Sequence, residues 1–205
     1  MDRQFFSRHA GWRPFVIALA VSFTLGLTSF AQTIAVKTNL AYLATTTPNL
    51  GLELRLHDKW SLNLSGSYNP FLFPQWQDES GREYNPKVMH WTVAPEVKYW
   101  FCKTYERSYL GVHGLYGRYN IGALPFISTL KDVRYYGQMY GGGLTYGYHW
   151  AVGGRWGIEL SAGVGYLRFD YKRCESFVCG EELGAVKRDY FGPTQFALSL
   201  CYFID

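Results

Sequence analysis

Six charged residues recur at alternate positions inside segments that are otherwise apolar or small: Lys37, Glu53, Arg55, Glu96, Lys98 and Glu159. Three carry each sign. An isolated buried ion costs several kcal/mol, so charges in such segments must either reach water or neutralise one another. The chemistry they offer is a balanced interior network rather than catalysis. His90 and Thr92, two residues apart, make a second candidate. On a strand they share a face, where an imidazole could serve as base to a hydroxyl. No serine joins that pair and no carboxylate is fixed beside it by spacing, so the simpler reading is a hydrogen-bonded filler. Cys174 and Cys179 fall in one polar stretch and form the expected disulfide, with Cys102 and Cys201 left unpaired; no histidines stand near enough to complete a metal site. The run Gly141-Gly142-Gly143 opens no helix and lacks the lysine of a phosphate loop, and no cofactor is expected.

The elements that must hold these residues are strands. From Asn49 to Tyr68 a two-residue period runs across a tight turn. Leu50, Leu52, Leu54 and Leu56 lie on one face before it, and Trp60, Leu62, Leu64 and Tyr68 on the same face after it. Keeping the leucines together places Leu56 opposite Trp60 around a three-residue turn, His57-Asp58-Lys59. The same alternation marks strands over 33–43, 88–101, 108–119, 136–150, from Trp156 through Tyr166, and from about Gln195 to Ile204. Pro95 interrupts the fourth of the eight and predicts a bulge or kink.

Eight strands emerge, and their connections alternate in length. Those after the second, fourth and sixth are short, whereas 70–86, 120–134 and 170–189 read as long loops. Aromatics gather at both strand ends, with Trp60, Tyr99, Trp100, Trp150, Trp156 and Tyr202 at one and Tyr42, Tyr68, Trp91, Tyr116, Tyr140 and Tyr166 at the other. An eight-stranded antiparallel up-and-down barrel in an outer membrane accounts for the alternation, the unequal loops and the two girdles together. A soluble lipocalin-like barrel is the alternative, but it gives no reason for aromatics at both rims. The mean hydropathy of −0.14 is no objection, because a barrel strand shows lipid only every second residue. A scattered net charge of +4 gives no footprint for nucleic acid.

Residues 1–31 read as an export signal: Arg3, Arg8 and Arg13 precede an apolar run, and Ser29-Phe30-Ala31 fits a cleavage site. Residues 32–205 are then the barrel domain. An eight-stranded barrel is only wide enough to be filled by side chains, so the six charges predict a plugged interior, with Gly141, Gly143, Gly147, Gly157, Gly163 and Gly165 giving room to long side chains. In the long loops, Phe71, Phe73, Trp76 and Phe126 are placed to meet a partner or outer-leaflet lipid.

Several short motifs act as a set: Lys37-Thr38-Asn39-Leu40, Thr46-Thr47-Pro48-Asn49, Trp60-Ser61-Leu62, Tyr68-Asn69-Pro70, Pro95-Glu96 and Phe191-Gly192-Pro193-Thr194. Together they resemble a family of uncharacterised small outer-membrane β-barrel proteins of Gram-negative bacteria, a domain of unknown function broadly like OmpA and OmpW. The resemblance implies a barrel with no established activity, encoded near fimbrial or surface-assembly proteins. Such a protein would have a surface or fimbrial protein, outer-membrane lipid and the barrel-insertion machinery as partners. The last strand resembles the C-terminal insertion signal but ends Phe203-Ile204-Asp205 rather than on an aromatic. The expected role is structural or interactive, with an OmpW-like conduit for small apolar solutes and a lipid-modifying enzyme as alternatives.

Overall fold

The computed structural model describes residues 34–72, 74–77, 81, 83–124, 130, 133–176 and 181–204. The export signal expected over 1–31, Phe73, Phe126 and Cys179 lie outside them. Ten strands and one short helix follow in order among the described residues: β1 (Ile34–Asn39), α1 (Leu40–Ala44), β2 (Asn49–His57), β3 (Trp60–Leu72), β4 (Trp76–Gln77), β5 (Glu83–Tyr84), β6 (Lys87–Trp100), β7 (Arg107–Gly122), β8 (Val133–Gly153), β9 (Trp156–Glu175) and β10 (Glu182–Ile204). Eight of the strands close antiparallel into a barrel in the order β1-β10-β9-β8-β7-β6-β3-β2, while β4 and β5 form a separate two-stranded sheet.

The alternation in the sequence becomes an inverted barrel. Leu50, Leu64, Val112, Leu144, Val164 and Phe196 are all more than half exposed on the outside, whereas Glu53, Ser61, Lys98 and Thr145 are fully buried within. Aromatic pairs brace the outer wall, Trp60 with Tyr99 and Trp156 with Tyr202 near the short turns and Trp91 with Tyr116 towards the other end. Trp100 departs from the expected girdle. It follows Tyr99, so its side chain turns to the opposite face, and it is fully buried in the lumen.

Register confirms Leu54 opposite Leu62 and Leu52 opposite Leu64, but His57 rather than Leu56 stands opposite Trp60. The strand runs one residue further than its leucines dictate and absorbs the extra residue as a bulge. At Pro95 the ladders show no bulge. The β3 ladder continues through Pro95 opposite Leu64, and although pairing with β7 lapses at Ala94 and Pro95, Val93↔Tyr116 and Glu96↔His113 keep one register. Opposite the proline ring stands Gly114, where an added methyl would meet nothing nearer than Cγ of Pro95 at 3.6 Å.

Strand lengths are more unequal than alternation implies. β1 stops after 6 residues because Asn39 caps α1, its side chain accepting from the amide of Ala41 at 3.0 Å. Tyr42, expected in the strand and its girdle, therefore lies on the helix. On the far side, β8, β9 and β10 reach 21, 20 and 23 residues. Most of the expected loop over 170–189 is hairpin, with Asp170 opposite Lys187 and Lys172 opposite Ala185. Charges at alternate positions read as loop in the sequence, yet they form a ladder wherever the outer face meets water instead of hydrocarbon.

Candidate functional site

The barrel interior brings together five of the six expected charges. Lys98 Nζ donates to Glu53 Oε2 at 2.9 Å and to Glu159 Oε1 at 2.7 Å. Lys37 Nζ donates to Glu159 Oε2 at 2.5 Å and pairs with Glu53. The four ends form a closed ring of alternating sign, each carboxylate bridging both ammonium groups. Backbone pairing sets this up: β1 and β2 carry Lys37 and Glu53 to one wall, β6 carries Lys98, and β9 brings Glu159 from the far side.

Further donors complete the ring. Ser61 Oγ donates to Glu53 Oε1 at 2.5 Å and accepts from Trp100 Nε1 at 2.8 Å, and the Tyr109 hydroxyl donates to Glu159 Oε1 at 2.7 Å. The ring of Tyr109 also lies 4.3 Å from Lys98 Nζ, giving that cation an aromatic face. Charges this deep are tolerable only when their remaining hydrogen-bonding capacity is met.

Arg55 does not join them. Its side chain is 38% exposed and pairs with Asp58 at 2.6 Å. Parity alone puts Arg55 in the lumen, but it lies three residues from Asp58 in the turn, where a long side chain reaches water over the rim. The nearby guanidinium, through its hydrogen bond first and its charge second, holds the Asp58 carboxyl below the usual range. The expected three-to-three balance becomes two lysines against three glutamates among the described residues. Glu96 is the least engaged: Lys98 lies 3.7 Å away, Asn63 Nδ2 donates at 3.4 Å, and Oε1 has no partner.

Below the ring, a cluster of aromatics fills the short-turn end. Trp100 packs on Tyr109 at 4.7 Å, and Tyr105 lies 5.8 Å from Trp100 and 4.9 Å from Phe203. Tyr105 belongs to the turn between β6 and β7, which tucks under the barrel: Thr104 N donates to Asp58 O at 2.7 Å and Thr104 Oγ1 to His57 O at 2.8 Å. Its φ of 69° is left-handed, a conformation that costs a non-glycine residue roughly 1–2 kcal/mol. His149 fills the same floor beside Phe203. Tyr105 alone of this group comes from a turn, and a two-residue period does not report a turn that folds back under the ring.

Above the ring lies a polar cavity of about 80 Å³, lined by Asn63, Ser67, Thr92, Glu96, His113 and Thr194 among others. It has room for a few waters. His113 bonds Thr145 at 2.7 Å and Thr194 at 2.9 Å. The other candidate pair for chemistry, His90 and Thr92, shares a strand, but the Thr92 hydroxyl is bonded to Ser67 at 2.6 Å. Of the glycines expected to make room for side chains, Gly147, Gly157 and Gly163 face Tyr109, His149 and His113, whereas Gly141, Gly143 and Gly165 instead let neighbouring backbone approach closely. A Cβ at Gly111 would meet Glu96 Oε1 at 2.6 Å, and one at Gly163 would meet His113 Cε1 at 2.9 Å.

A family model described as a protein of unknown function, DUF3575, matches residues 15–204. The chain belongs to the DUF3575 family. No curated protein matches this DUF3575 chain. Among solved structures, the translocator domain of the autotransporter NalP from Neisseria meningitidis is similar at 10% identity and a TM-score of 0.45, over 87% of this chain. The DUF3575 chain spans 65% of that domain.

Of the remaining expected residues, Phe71 ends up on β3 and is 39% exposed. Trp76 is half-buried: it stacks on Tyr84 at 4.2 Å, and its Nε1 donates to Ala123 O at 3.2 Å. Cys174 has no disulfide partner among the described residues, and Cys179, to which a bridge is expected, lies outside them. The hairpin continues past Cys174, with Glu182 and Arg134 opposite it on the two ladders, so the residue sits in a strand and not in the loop where a short bridge is expected.

Proposed function

We propose that this DUF3575 protein is an integral barrel of the outer membrane whose interior is sealed and whose work is structural or interactive at the cell surface. The observation that carries the reading is the inversion of the barrel. Apolar side chains stand exposed all round the outside while lysines and glutamates are fully buried inside. In water such a surface is a large unsatisfied apolar patch, and in hydrocarbon it is the ordinary state of a spanning strand. Support for a sealed lumen comes from Trp100, Tyr109, Lys98 and Glu53, all without exposure to solvent.

Refolding the mature protein into phospholipid vesicles tests the membrane reading: a compact, heat-modifiable band that resists protease is expected. A chain that folds and stays soluble without detergent overturns it. Planar-bilayer recording tests the seal, with Glu53→Gln and Glu96→Gln as controls. A steady current altered by either substitution favours the conduit instead.

A further inference from the structure

β10 outlasts its neighbour. It pairs with β9 from Glu182 to Tyr202, but β1 covers it only from Ser199 to Ile204. The Asn39 carboxamide extends that cover by one step, donating to Phe196 O and accepting from Leu198 N, each at 3.2 Å. Above this point α1 lies against the strand, and among the described residues no backbone hydrogen bond reaches its second side. Between the register shifts at Glu182/Gly184 and Pro193/Gln195, the run from Gly184 to Pro193 keeps an unbroken ladder with β9. It is regular and open along one edge.

A row of unpaired N–H and C=O groups on a regular strand is recognised by one thing, another extended backbone. Edges that are meant to stay bare carry a proline, a bulge or charge; here a proline with a bulge stands at the lower end, at Pro193, and a second bulge at the upper end, at Glu182/Gly184, while the run between them has neither and carries only its charges. Its charges point to the occupant. Asp189 is engaged, accepting from the Tyr166 hydroxyl at 2.6 Å and lying 3.9 Å from Arg168, and Asp170 lies 3.7 Å from the same arginine. Among the described residues neither Lys187 nor Arg188 lies within ion-pair distance of a carboxylate, although Asp170 stands opposite Lys187 on the ladder, and as neighbours on a strand they offer one cation to each face. Phe191 beside them is 81% exposed.

A second copy does not fit antiparallel. Joining two β10 edges with their faces aligned needs a two-fold axis perpendicular to the sheet, and that axis would turn one barrel upside down in the membrane. We infer that the β10 edge from Gly184 to Gly192 receives an extended, acidic segment of another exported polypeptide as an added strand. The inference rests on the membrane reading above and names the kind of partner that reading leaves open.

The test uses the mature barrel in lipid nanodiscs and a synthetic peptide of about ten residues, long enough to line the edge, with adjacent Glu pairs set between Val and Thr so that carboxylates reach both faces. Two companion peptides replace Glu by Lys or place proline at alternate positions. The acidic strand peptide binds and slows amide exchange on β10 between 184 and 192. Its affinity falls about tenfold in K187E/R188E and in the milder K187Q/R188Q, and as far for the proline peptide. Equal binding of the proline peptide, protection confined to other strands, or self-association through this edge overturns the inference. Heat-modifiable migration is read on every sample. A folded, inserted barrel without edge protection counts against the edge alone, whereas failure to insert counts against the membrane reading and the inference with it.

Discussion

The side-chain amide of Asn49 grips the backbone of Asn39 at both ends, accepting from its N–H at 2.6 Å and donating to its C=O at 3.0 Å. Asn39 repeats the device on its other side, where its own carboxamide holds Phe196 O and Leu198 N of β10. Two asparagines thus prolong both ladders by one step beyond the point where β1 turns into a helix. In a bilayer those backbone groups would otherwise face hydrocarbon without partners.

Asn39→Ala and Asn49→Ala should therefore each destabilise the barrel by about 1–3 kcal/mol, the usual penalty for an orphaned buried polar group. The double variant should fall short of the sum, because both act on one junction. Urea titration of vesicle-refolded protein measures all three. Full additivity would mean the two side chains act separately.

Within the lumen, Lys98→Met leaves Glu53 and Glu159 to share Lys37 alone. A loss of about 3–5 kcal/mol is expected, the range for an ion pair broken in a buried site. Arg55→Met, whose partner Asp58 is exposed, should leave the urea midpoint within error. That surface pair also has a definite pH sign. With its folded value lowered, the Asp58 carboxyl contributes above its ordinary range and loses that contribution as pH falls through the lowered value. An acid transition unchanged in Asp58→Asn is the expected result, because the solvent-screened pair adds too little to govern it.

Glycines in the wall separate by what they face. A methyl at Gly141 would collide with the backbone carbonyl of Tyr166, which cannot swing away, while one at Gly111 meets the far end of Glu96. Gly141→Ala should cost more than the roughly 1–3 kcal/mol typical of overpacking, and Gly111→Ala should fall at or below it. Equal urea midpoints for the two variants would contradict so close an approach of β8 to β9.

The seal makes its own prediction. Planar bilayers containing the unaltered protein should stay silent, and Trp100→Ala with Phe203→Ala should yield a small persistent current by opening the floor that Tyr105 completes. Silence in the double variant would mean the ion ring alone blocks passage.

Much of this is legible in alternation. Leu52, Leu54, Leu62 and Leu64 give the register of the first hairpin directly, and the positions of Lys37, Glu53, Glu96, Lys98 and Glu159 follow from their parity. Parity says nothing about where a strand meets water, which is why it puts Arg55 inside and makes the charged upper hairpin around Asp170 look like loop. Leu40 and Tyr42 alternate as a strand would, yet Asn39 caps a helix there, because a local side-chain hydrogen bond outweighs pattern over so few residues. Tyr105 lies in a turn and reaches the floor by folding back, a three-dimensional event with no periodic trace. A proline in a strand ordinarily bends it, but the register holds on both sides of Pro95.

The closing seam joins Ile34 to Ile204, the two ends of the wall, through a strand of only six residues. No ring can shut until the whole chain through β10 is in place, and β1 offers few rungs on which to make the final join. Loop-closure entropy makes such end-to-end pairing the slow step of assembly. Until then the nascent sheet stays an open crescent, whose two raw margins any assembly factor would have to shield.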